Sequence, residues 1–227
     1  FIYEGTYKYE DFDKVGDTYT LKRNVPYFSS ESNTQPGMPK YADLNGDGII
    51  DDNDRTMIGN GMPKHTGGFT NNFEYKGFDL SIFFQWSYGN DVLNANRLFF
   101  ENSNKTRDLN QYASYADRWT PENPESNIPR ATDSGSNKVF STRIIEDGSF
   151  LRLKTVSLGY TLPKQLTKKW KIDNARVFVA GQNLWTCTGY SGYDPEVSIR
   201  EGALTPGLDF SAYPRAYSIS FGINLGF

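Results

Sequence analysis

Cysteine and histidine are almost missing from this sequence. A single Cys187 allows no internal disulfide and no thiolate zinc site, and a single His65 leaves imidazole catalysis or a histidine metal cluster little to build on. No run approaches the roughly 18 consecutive apolar residues of a membrane helix, which excludes a helical membrane protein but not a transmembrane β-barrel. Charge of one sign is lacking too. The 24 basic and 27 acidic residues give a net charge of -3 with no basic run, so there is no electrostatic footprint for nucleic acid. Aliphatics are scarce: only 37% of the 227 residues are hydrophobic, and mean hydropathy is -0.62. What is abundant is aromatic, with 16 Phe, 15 Tyr and 4 Trp, and this excludes disorder. The chain starts at Phe1 without an initiator Met, leader or lipidation signal, which reads as a fragment.

Alternation is the strongest pattern present. Tyr217, Ile219, Phe221, Ile223, Leu225 and Phe227 alternate with Ser218, Ser220, Gly222, Asn224 and Gly226. Period two over this length predicts a strand, 216–227, with one apolar face and one small, neutral face. Soluble strands average about 5–6 residues. Such a strand ending on an aromatic is that of an outer-membrane barrel, with Phe227 as its barrel-assembly signal. A second run interleaves Leu80, Ile82, Phe84 and Trp86 with Asp79, Ser81, Gln85 and Ser87, and Phe83 alone breaks the polar face. It follows Thr70 to Tyr75 across Lys76-Gly77, a two-residue hairpin connection. Further strands are expected at Phe150 to Tyr160, where a phase slip near Thr155 calls for a β-bulge, at Ala175 to Leu184 and at Ile2 to Tyr9.

Connection lengths carry topology, because bacterial barrels alternate short periplasmic turns with long extracellular loops. Read back from Phe227, segment 185–215 is long, Thr161 to Asn174 is shorter, 89–149 is long and Lys76-Gly77 is minimal. The fold class expected over residues 1–227 is therefore all-β: an antiparallel transmembrane β-barrel segment of about six strands with long extracellular loops. One loop should carry a short helix, from Asp108 to Trp119, with Leu109, Tyr112, Tyr115 and Ala116 on one face. At least eight strands close a membrane barrel, so about six are part of a larger one.

One motif carries chemistry. Residues 43–54 have the spacing of an EF-hand-type calcium loop: Asp43, Asn45 and Asp47 at positions 1, 3 and 5, Gly48 at the turn, the Ile49 carbonyl at 7, Asp51 at 9 and Asp54 at 12. Alternate residues of a tight loop can deliver the six or seven hard oxygens that Ca2+ takes at about 2.4 Å. Asp in place of Glu at position 12, and the lack of flanking amphipathic helices, make it a static structural site. Glu122, Glu125, Asp194, Glu196 and Asp209 could pair as glycosidase acids. They lie on loops without a nucleophile motif, so they read as solvated and no enzyme is expected. Trp185, Tyr190, Tyr193, Phe210 and Tyr213 cluster around the last loop and read as interfacial girdle ahead of sugar stacking. Gly222 and Gly226 should face the lumen, where bulk is optional.

The wording itself then resembles a family. Residues 43–55, Ile58-Gly59-Asn60, Gly67-Gly68-Phe69, Tyr75-Lys76-Gly77-Phe78-Asp79-Leu80 and Arg118-Trp119-Thr120-Pro121 resemble the SusC-like TonB-dependent transporters of Bacteroidota. So do Phe150-Leu151-Arg152-Leu153-Lys154, Leu158-Gly159-Tyr160, Gly181-Gln182-Asn183-Leu184 and Gly192-Tyr193-Asp194-Pro195-Glu196. The resemblance implies an outer-membrane importer of roughly 22 strands, of which this chain is the C-terminal third or less. It also implies a SusD-like surface lipoprotein as lid, dimers of such pairs, TonB coupling through the missing N-terminal part, and oligosaccharide or peptide substrates. The residues alone leave one alternative, a secreted calcium-stabilised β-domain that binds carbohydrate.

Overall fold

In the computed structural model, residues 1–102, 110–132, 139–199 and 205–227 are described. Five long strands make one antiparallel sheet: β1 (His65–Tyr75), β2 (Phe78–Tyr88), β3 (Phe150–Thr161), β4 (Asn174–Thr188) and β5 (Ser218–Gly226). Their order is β5-β4-β3-β2-β1, so each strand pairs with its sequence neighbours in an up-and-down meander. The shortest has 9 residues and the longest 15, which brackets the roughly 9–11 needed to cross a bilayer. Tyr75 pairs with Phe78 across Lys76 (φ 48) and Gly77 (φ 87), both left-handed, as a type I′ hairpin turn requires.

The bulge on β3 is where the phase slip placed it. Leu153 faces Phe84 and Thr155 faces Phe83, which leaves Lys154 as an extra residue against β2. Leu151 and Leu153 before the bulge therefore share a face with Val156, Leu158 and Tyr160 after it. Across the sheet, Leu80, Leu158, Val179 and Phe221 form one row of this face, and Ile82, Val156, Gly181 and Ile219 the next. Aromatics gather at its two ends, with Phe69 stacked on Phe84 at 4.9 Å beside Trp86, and Phe78 against Tyr160 at 4.5 Å. Its side chains are mostly half-buried on the inner strands and exposed on β5, Phe221 by 82% and Ile223 by 67%.

The other face is polar, with Ser81, Gln85, Ser157, Gln182, Ser220 and Asn224, and it holds three aromatics, Phe83, Phe150 and Phe178. Bulk is not optional at Gly222, contrary to expectation. The Phe178 ring lies over it, and a Cβ would come within 2.3 Å of that ring.

These strands belong to a body formed by residues 60–92, 147–207 and 212–227. A second body is made of residues 1–59, 93–146 and 208–211. The strand expected at Ile2 to Tyr9 belongs there: Tyr3–Thr6 pairs with Pro39–Tyr41, not with the sheet, which therefore holds five of the anticipated strands. Aromatics replace aliphatics in its cores. Phe1, Tyr41 and Ile50 form one cluster, and Tyr7, Phe12 and Leu21 another. Much of the expected loop 89–149 is folded onto this body: Tyr3 OH donates to Asn127 O at 2.7 Å, Thr6 Oγ1 to Ser126 O at 2.7 Å and Arg130 N to Gly37 O at 2.8 Å.

The expected helix from Asp108 to Trp119 is replaced by a 3₁₀ turn, Ala113–Asp117; Asp108 and Leu109 lie outside the described residues. Trp119 N donates to Ile128 O at 2.8 Å, and this tertiary pairing takes the place of a continued helical ladder. Among the described residues of segment 89–149, the α-helix is Asn96–Phe100.

Candidate functional site

The loop 43–54 folds through local oxygen-to-amide bonds. Gly46 (φ 78) and Gly48 (φ 85) reverse the chain. Asp43 accepts from Gly46 N at 2.7 Å and Gly48 N at 2.8 Å, Asn45 Oδ1 from Asp47 N at 3.0 Å, and Asp47 Oδ1 from Ile49 N at 2.8 Å. These bonds orient the three side chains at alternate positions. A carboxylate has about four lone-pair sites, of which Asp43 uses two on the backbone. The donor set is thus of the hard-oxygen type that Ca2+ takes. Ile49 is drawn into a two-residue parallel pairing with Tyr27, and Asp51 accepts from Asn53 N at 2.8 Å at the head of the 3₁₀ turn Asp52–Asp54.

Asp54 is used differently from the position-12 ligand the spacing suggests. It is fully buried. Its Oδ1 accepts from Leu44 N at 2.7 Å and Asn45 N at 3.3 Å, and its Oδ2 from Asp51 N at 2.9 Å, so it ties the start of the loop to its end. The bond from Asp51, followed by those from Leu44 and Asn45, holds its carboxyl below the usual carboxylate value against the opposing effect of burial. Among the described residues, no three His, Cys, Asp or Glu side chains converge as a metal-ligating group.

A second constellation escaped the sequence. Arg152 on β3 is 2% exposed on the polar face. Its Nη2 donates to Asp194 Oδ1 at 2.6 Å, its Nη1 to Glu196 Oε2 at 2.7 Å and its Nε to Thr186 Oγ1 on β4 at 3.0 Å. Asp194 also accepts from Glu196 N at 2.9 Å and Arg215 N at 3.3 Å. The guanidinium thus has partners on three sides, and it fastens the β4–β5 connection to the sheet. Asp194 is 4% exposed and Asp209 3%, so neither is the solvated loop acid that was expected; Glu122 and Glu125 are exposed.

Arg176 on β4 pairs with Asp79 on β2, its Nε 2.9 Å from Oδ1, and the pair reaches across the intervening β3. Gly159 makes the crossing possible, since a Cβ there would lie 2.3 Å from the Arg176 guanidinium. The aromatics expected around the last loop separate. Trp185 extends β4 on the apolar face, Tyr190 is buried, Phe210 packs on Phe99 at 4.9 Å, and Tyr193 and Tyr213 are exposed. Phe227 follows β5 and is exposed.

No protein-family model matches the chain. It is similar to TonB-dependent receptor P3 of Formosa agariphila, with 36% identity over 86% of this chain and 19% of that protein. It is similar also to TonB-dependent receptor SusC of Bacteroides thetaiotaomicron, with 28% identity over 87% of this chain and 18% of that protein. Among solved structures it is similar to the RagAB peptide importer in its closed-closed state, with a TM-score of 0.71 and 27% identity over all of this chain and 22% of that one. The chain spans about a fifth of the length of the relatives it matches.

Proposed function

Since the chain belongs to the SusC-like TonB-dependent receptors, we propose that its five-stranded sheet is part of the barrel wall of an outer-membrane nutrient importer. The observation that carries this reading is the apolar face of the sheet, mostly half-buried on its inner strands and exposed towards its edges, with aliphatics at the centre of its middle rows and aromatics gathered at both ends, opposite a polar face. That division suits lipid outside and a wet lumen inside, with aromatic girdles at the two interfaces. A secreted β-domain would leave Phe73, Phe221 and Ile223 in water. In lipid, the edges of β1 and β5 need further strands to satisfy their backbone groups, and the rest of a longer barrel supplies them.

In this reading the cargo is an oligosaccharide or peptide, the lid is a SusD-like lipoprotein, such pairs dimerise, and TonB drives uptake through parts of the protein beyond these residues. The chain contributes wall and loops and carries out no catalysis. Calcium at Asp43, Asn45, Asp47, the Ile49 carbonyl and Asp51 would be structural, stiffening a loop that the Asp54 carboxylate already closes through its backbone bonds. Fractionation tests the reading: the full-length protein should sediment with the outer membrane and need detergent for release. Recovery in buffer alone would overturn it.

A further inference from the structure

The connection between β3 and β4 is short and basic. Residues 161–174 hold Lys164, Lys168, Lys169 and Lys171 against one acid, Asp173. Lys76 of the β1–β2 hairpin adds a fifth lysine at the same end of the sheet, where Thr161 N donates to Gly77 O at 2.8 Å. All five are exposed, and the ion pairs that lysines make among the described residues involve Lys8, Lys40 and Lys154 instead. The connections that leave the opposite end, 89–149 and 185–215, hold nine basic and thirteen acidic residues, so basic charge is concentrated at one end.

The patch has a fixed frame. Lys164–Thr167 is a turn of helix that runs into the 3₁₀ turn Lys168–Trp170. A left-handed cap closes it: Ile172 N donates to Thr167 O at 3.2 Å and Lys171 N to Lys168 O at 3.2 Å, with Lys171 at φ 58. Thr167 is buried, and Asp173 N donates to Gly226 O of β5 at 2.8 Å, which pins the turn to the sheet. Glycine or asparagine is the ordinary residue at such a left-handed position, and also at Lys76 (φ 48), so backbone geometry asks for lysine at neither.

Apolar groups stand among these ammoniums. Trp170 is 65% exposed, and Leu166 is exposed as well. The aromatic row Tyr75, Phe78 and Tyr160 closes the apolar face of the sheet at this same end. Lysines interspersed with exposed Trp and Leu suit a surface that is anionic outside and apolar beneath, whereas a soluble polyanion would leave Trp170 and Leu166 in water.

We propose that this turn docks anionic phospholipid headgroups of the leaflet at that end of the barrel, with the lysines on phosphates and Trp170 as interfacial anchor. This rests on the barrel-wall reading and adds a lipid preference to it.

The test uses the full-length transporter in nanodiscs of phosphatidylcholine and phosphatidylglycerol in equal parts, with the lipids retained on release identified by native mass spectrometry. The wild type should retain phosphatidylglycerol in preference. A lysine close to an anionic surface is worth about fivefold in binding, so Lys169→Gln should lower the preference about fivefold and the triple variant Lys168→Gln/Lys169→Gln/Lys171→Gln at least about tenfold. Lys14→Gln, in the other body, should leave it unchanged. Heat-modifiable gel migration checks folding, and Lys169→Gln decides if the triple variant does not fold. Equal retention of the two lipids by the wild type, or an undiminished preference in the folded variants, would overturn the docking site. Binding to isolated peptidoglycan that the triple variant loses, with its lipid preference intact, would assign the lysines to a wall polymer and overturn it too. The import reading would survive each of these results, because it fails only if the protein is absent from the outer membrane.

Discussion

The Nη2 of Arg152 donates to Asp194 Oδ1 at 2.6 Å, joining a strand to the loop that follows the next strand, 42 residues away in sequence. Both groups are buried, so loss of one partner strands the other without compensation. Arg152→Ala should cost about 3–5 kcal/mol of local stability and speed amide exchange and proteolysis across residues 189–199. Arg152→Lys, which cannot bond two carboxylates in a fork, should fall between alanine and the wild type. Unchanged exchange in the alanine variant would remove the tether role.

Gly159 is the gap through which Arg176 reaches Asp79. Gly159→Ala should displace the guanidinium and cost roughly 1–3 kcal/mol, the usual range for overpacking. Ser157→Ala on the same face should cost far less. Urea titration of the folded, heat-modifiable form compares them, and equal midpoints would contradict the crossing geometry.

The loop 43–54 should bind Ca2+ with hard-oxygen contacts of roughly 2.3–2.6 Å. Asp47→Ala should weaken binding while the fold survives. Asp54→Asn should be worse, because it removes the charge that the Leu44, Asn45 and Asp51 N–H groups favour. Calorimetry with Ca2+ after chelator treatment decides it, and no heat of binding in the wild type would end the calcium assignment.

Burial raises the hydroxyl pKa values of Tyr3, Tyr7 and Tyr41 well above the ordinary tyrosine value. Below about pH 10 these groups are protonated in both folded and unfolded chains and leave stability unchanged. Above it the unfolded chain releases protons that the folded chain keeps, so stability falls as pH rises. Tyrosinate absorbance should show a late fraction that appears only as tryptophan fluorescence reports unfolding. Titration of all 15 tyrosines before any loss of structure would contradict it.

The wall was legible because it is written in local rules. Period two gave the strands, Lys76-Gly77 the hairpin, and the slip from Leu153 to Val156 the bulge. The second body was not, because Tyr3–Thr6, Pro39–Tyr41 and the Asn127 region meet only through tertiary contacts, with no periodicity long enough to register. Nothing local marks Arg152 as a tether, since its partners lie in a distant loop whose acids read as solvated. Asp54 satisfied the calcium spacing, yet that spacing could not tell a metal ligand from a clamp on backbone amides.

The barrel-wall assignment is tested most directly on β5. With Cys187 replaced by Ser, single cysteines placed at 218–221 and 223–225 in the full-length protein would be spin-labelled in native outer membranes, position 222 being left out because Phe178 covers it. Positions 219, 221, 223 and 225 should be accessible to oxygen dissolved in lipid, and 218, 220 and 224 to a water-soluble relaxant, alternating along the strand. Uniform access to the aqueous relaxant, with no alternation, would contradict the assignment.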